Sequence, residues 1–169
     1  MPVTVIRNQM LRKEDFMEYG TIEREIHVQA SPEVAFAVVS RPEHLREWWP
    51  DDASGEAVVG APGELIWRDR ETGRTESVAY TVVEVEEPRR FSFRWCYRDG
   101  DTRRGDSLLV TFELAPVGDG TLIRLTESGF REMGWEAAVL EEHYRDHVTG
   151  WDLFVPRLGT YVGRLVSAR

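Results

Sequence analysis

Residues 135–166 read WEAAVLEEHYRDHVTGWDLFVPRLGTYVGRLV, the longest stretch of the chain in which apolar side chains return at helical spacing. Tyr144, Val148, Trp151, Val155, Leu158, Val162 and Leu165 follow one another at steps of three or four, which puts them on one face of a helix. Glu142, Asp146, Asp152, Arg157 and Arg164 occupy the other side, so one face must be covered by the rest of the chain while the other meets water. Pro156 removes the hydrogen bond to the carbonyl of Asp152 and crowds the preceding turn, so a bend is expected there. Gly150, Gly159 and Gly163 loosen the same helix or let a sheet come close to it.

The cover lies upstream. Ile22, Ile26, Val28 and Ala30 alternate with Glu23, Glu25, His27 and Gln29 at the period of a half-buried strand. Arg24 falls in the apolar phase, either at a strand end reaching water or as a polar group inside a cavity. Ser31-Pro32-Glu33 is a helix start, with serine as N-cap and proline at the first helical position. A second short helix opens at Pro42 and carries Trp48 and Trp49 before Pro50 stops it. The polar, glycine-rich stretch 51–63 has room for one short strand at 57–59. From there to Ser128 the pattern is strand and turn, with strands at 64–69, 77–86, 91–98, 108–114 and 122–128. These are hairpins of an antiparallel meander. Phe91, Phe93, Trp95 and Tyr97 share one face of their strand, and Leu108, Val110, Phe112 and Leu114 do the same on theirs, so the sheet has one dry face that needs a lid.

With 169 residues and 41% hydrophobic content, the chain suits one domain that buries a core without disulfides or metals. Its formal charge of -9 repels phosphate backbones, which argues against a nucleic-acid partner. No apolar run reaches the roughly 18 residues of a membrane span. The single cysteine, Cys96, cannot form an internal disulfide; with no signal peptide in view, a cytoplasmic setting is expected.

Strand, two short helices, a run of strands and one long amphipathic helix make an α+β order. The stretches TIEREIHVQASPEVAFAVVSRPEHLREWW (21–49), TLIRLTESGF (121–130) and GWDLFVPRLGTYV (150–162) resemble the START-like, or SRPBCC, superfamily, in particular the branch named for the activator of the heat-shock-protein-90 ATPase. The resemblance spans about residues 18–166 and leaves residues 1–17 as an N-terminal arm before a START-like domain at 18–169. It implies the helix-grip fold: a curved antiparallel sheet of six or seven strands wrapped around the C-terminal helix, with two short helices after strand one. It also implies a cavity for a lipid, polyketide or other hydrophobic molecule. Family members that activate the chaperone carry a second, N-terminal domain, and on that ground chaperone activation is not expected here.

Glu127 continues the phase of Ile123 and Leu125, so it either points inward, where a carboxylate must be hydrogen-bonded, paired or protonated, or it caps the next loop. Arg24 is a conceivable partner. His143 and His147, four apart on the helix, have a spacing that metal sites use, but no further ligand frame accompanies them, and no metal or cofactor is expected. Cys96 reads as an ordinary strand cysteine, because no base or oxyanion site accompanies it. Trp67 and Trp95 on strands and Trp151 on the helix are expected in the core or on the cavity wall, and Trp48 and Trp49 near the cavity mouth. The candidate ligand-binding set is therefore Trp67, Trp95, Glu127, Trp151, Val155, Leu158, Arg24 and Trp48. The leading expectation is a monomeric or weakly dimeric protein that binds a hydrophobic small molecule for carriage or self-protection. A cyclase or aromatase is the second reading and a chaperone-interaction module the third.

Overall fold

The computed structural model describes residues 20–95 and 107–168. Its seven strands, β1 (Thr21–Val28), β2 (Asp52–Ser54), β3 (Pro62–Arg68), β4 (Thr75–Glu86), β5 (Arg90–Trp95), β6 (Leu108–Val117) and β7 (Gly120–Ser128), form one antiparallel sheet in the order β1-β7-β6-β5-β4-β3-β2. From β2 to β7 each strand pairs with the next, and β1 closes the far edge against β7. The chain crosses from one edge to the other through α1 (Pro32–Ser40) and α2 (Pro42–Trp48), and the long helix α3 (Ala137–Ser167) follows β7. This is the α+β architecture expected from the element order, and the helix-grip fold that the family resemblance implied.

Local chemistry accounts for the boundaries. Ser31 accepts the Val34 amide at 3.3 Å and Pro32 sets the first turn of α1. Phe91, Phe93, Val110, Phe112, Ile123 and Leu125 alternate onto the inner face and share one core with Trp151, Leu158 and Val162 of α3, all nearly inaccessible to water. Removal of this apolar area from water is the main force holding helix to sheet. The outer face is wet and carries ion pairs such as Arg90 with Glu84 and Arg124 with Glu25. At that exposure each contributes at most about 1 kcal/mol.

The short strand of the glycine-rich stretch is at 52–54, where it pairs with β3, and not at 57–59. Val58 and Val59 lie more than half exposed in a turn closed by Ala61 N–H donating to the Val58 carbonyl at 2.9 Å. β5 is described to Trp95, so the expectations for Cys96 and the Asp99-Gly100 turn lie outside the described residues, as does the N-terminal arm. The helix runs through Pro156, which sits on its exposed side, without ending there. Gly159 gives β1 its close approach: a Cβ there would stand 2.7 Å from Ile26 Cδ1, whereas one at Gly150 or Gly163 would meet nothing.

Gly63 has a similar role in β3. Tyr80, buried and donating its hydroxyl to the Ser54 carbonyl at 3.1 Å, lies so close that a Cβ on Gly63 would fall 2.1 Å from the ring. Burial holds the Tyr80 hydroxyl above the usual phenolic pKa. Gly63→Ala is expected to push the ring aside and cost about 1–3 kcal/mol in urea unfolding. An unchanged midpoint would mean that the ring has room to move.

Candidate functional site

β7 alternates Ile123, Leu125 and Glu127 onto the inner face, and register sets Glu127 beside Ile22 of β1 and Val110 of β6. The carboxylate is completely buried. Its oxygens accept from three N–H groups: Trp95 Nε1 at 2.7 Å on Oε2, and Trp151 Nε1 at 2.9 Å and His147 Nδ1 at 2.7 Å on Oε1. Indole nitrogens only donate, so both oxygens act as acceptors, and the histidine tautomer that completes the set carries its proton on Nδ1. Such saturation makes burial of a carboxylate tolerable, since an unpaired one costs several kcal/mol. Of the two sequence readings, the structure takes the inward one. Glu127 ties β5 and α3 to β7.

The three donors border a cavity of about 260 Å³ between the sheet and the first half of α3. Trp49, Trp67, Trp95 and Trp151 form most of its wall, with Val78, Leu108 and Phe154 beside them. Trp49 is the hub, its ring centroid 5.0 Å from Trp151, 5.1 Å from Trp95 and 5.7 Å from Trp67. α3 contributes His147, Gly150, Trp151 and Phe154, the i, i+3, i+4, i+7 face of a helix. Glu76 and Asp146, both exposed, stand at the rim.

Trp67, Trp95 and Trp151 are thus on the wall, with Glu127 immediately behind two of them. The other four candidates are elsewhere. Trp48 is 2% exposed, donates to the Val38 carbonyl at 3.0 Å and stacks on Trp49, which takes the cavity position as the chain leaves α2. Leu158 lies on the correct face but is sealed into the core beyond the cavity, and Val155, half-buried, packs at the core margin while its neighbour Phe154 lines the wall. Arg24 pairs with Asp152 of α3 at 2.7 Å and borders a separate polar cleft, so it is not the partner of Glu127. The histidines also separate: His147 binds Glu127, and the His143 ring lies tilted against that of Trp135, centroids 4.2 Å apart. His147 was legible as a face-mate of Trp151, four residues away. Trp49 carried only the signal of a tandem tryptophan, which does not say which ring turns inward.

No curated protein matches the chain. Solved structures do match. The protein MLL2253 from Mesorhizobium loti is 22% identical, with a TM-score of 0.68 over 85% of this chain and 97% of that one. DynU16, of the dynemicin biosynthetic locus, is 21% identical with a TM-score of 0.63 over 85% of this chain and 47% of its own length. The Aha1 dimer from Colwellia psychrerythraea is 21% identical with a TM-score of 0.62, covering 84% of this chain and 95% of that one. At these identities the likeness is one of fold. Among the described residues no helix is long and apolar enough to cross a membrane. The model of the family described as activator of Hsp90 ATPase homolog 1-like protein matches residues 29–163, and with its sheet, helices and spacing in place the chain belongs to that family.

Proposed function

We propose that this protein binds a hydrophobic small molecule in the cavity between the sheet and α3, and so carries or sequesters it. The observation that supports this most directly is the tryptophan-walled cavity itself, concave, largely apolar and already open in the folded chain. Its 260 Å³ falls just below the usual range of small-molecule sites, about 300–1,000 Å³, which favours a compact ring system over a long acyl chain. One fold relative belongs to the dynemicin biosynthetic locus, which makes a polyketide or similar natural product a reasonable ligand class and self-protection a reasonable purpose. Another is a dimer, in keeping with a monomer or weak homodimer here. A cytoplasmic location goes with this reading.

The pair Glu127 and His147 favours a second reading, a cyclase or aromatase. A carboxylate that orients an imidazole on a cavity wall is the arrangement general acid–base catalysis uses. Native mass spectrometry of protein purified from its own host tests both. The binding reading expects a small molecule that co-purifies and keeps its mass on incubation. Conversion to a new mass would favour the enzyme, and repeated recovery of empty protein would sink the binding reading.

A further inference from the structure

Taking the binding reading as its basis, we infer that the cavity selects ligands bearing a positive charge, an ammonium or protonated amine attached to a compact apolar or aromatic body. Indole presents the best π face for a cation, and four indoles form this wall. Two of them are electronically biased. Trp95 and Trp151 both donate their N–H to Glu127, which shifts electron density into the rings. The same bonds commit both N–H groups, so neither is offered to an anionic ligand.

The charged groups around the cavity agree in sign. Glu76 and Asp146 are carboxylates at its rim, and among the described lining residues there is no arginine or lysine. His147 is the described lining group that can become positive, and its Nδ1 is already bonded to Glu127. Even with that ring protonated, the two exposed rim carboxylates of Glu76 and Asp146 outnumber it. A neutral apolar ligand would gain nothing from this arrangement, and an anion would lose its water and meet repulsion. The net charge of -9 adds a long-range field that draws cations to the surface.

Three meta-substituted phenols separate the possibilities: 3-(trimethylammonio)phenol, its neutral isostere 3-tert-butylphenol, and the smaller anion 3-hydroxybenzoate. Binding is read by calorimetry and by quenching of tryptophan fluorescence. The cation is expected to bind about tenfold tighter than the neutral isostere. The anion is expected to show no saturable binding. In the variant carrying Glu76→Gln and Asp146→Asn, both exposed positions, the ratio of affinity for the cation to that for 3-tert-butylphenol is expected to fall several-fold. If the neutral probe binds as well as the cation or better, the charge preference is overturned and the apolar binding reading stands. If no probe gives heat or quenching, the binding reading is overturned with it.

Discussion

Glu127→Ala is expected to cost about 3–5 kcal/mol of stability, because it leaves three N–H groups, the buried one of Trp151 and the part-buried ones of Trp95 and His147, without their acceptor. For a chain of this size each kcal/mol moves the melting temperature by about 2–4 °C, so the variant should melt about 6–20 °C below the parent. Glu127→Gln keeps one acceptor oxygen but turns an NH2 group toward a donor, and should lose about 1–3 kcal/mol. Thermal unfolding followed by near-UV circular dichroism reports both the midpoint and the packing of Trp95 and Trp151. A Glu127→Ala protein that melts with the parent would mean that the network does not pin α3 to the sheet.

Gly150→Leu should have the opposite combination of effects. Gly150 lines the cavity, and a Cβ at that position would meet nothing within 4 Å, so a leucine side chain there projects into open space. Replacing glycine inside a helix favours folding by up to about 1 kcal/mol. The space occupied is the space proposed for the ligand, and forcing a second group into a filled site costs about 3 kcal/mol, roughly a 100-fold loss of affinity. Gly163→Leu is the control, since Gly163 also has an open Cβ direction but is not on the cavity wall. Probe affinity should collapse in the first variant and persist in the second. Undiminished binding by Gly150→Leu would place the ligand elsewhere.

Much of this molecule follows from periodicity. The phase of Ile123 and Leu125 offered Glu127 the same face if the strand ran that far, and the 3.6-residue period of α3 put Trp151, Leu158 and Val162 on one side, because each pattern needs only neighbours a few residues away. What lay opposite those faces was beyond its reach. Leu158 and Trp151 are equivalent on a helical wheel, yet one is sealed against the core and the other borders a cavity, since the difference lies in which strand residues come within contact distance. Arg24 was read correctly as a strand residue in the inward phase, but its charge found Asp152, 128 positions away, near enough to water for both to stay hydrated.

The tandem tryptophans mark the same boundary. By itself the sequence determined that the second short helix carries two adjacent large aromatic rings, that Glu127 stands in the phase of Ile123 and Leu125 at the end of its strand, and that α3 is a long amphipathic helix. Only the tertiary structure decided that Trp48 fills the core while Trp49 turns to the cavity, and that Glu127 meets the N–H groups of Trp95, His147 and Trp151. Hydrophobic period is a property of one segment and is written locally. A cavity and a hydrogen-bond network are properties of the distances between segments, which exist only after strands and helix have packed.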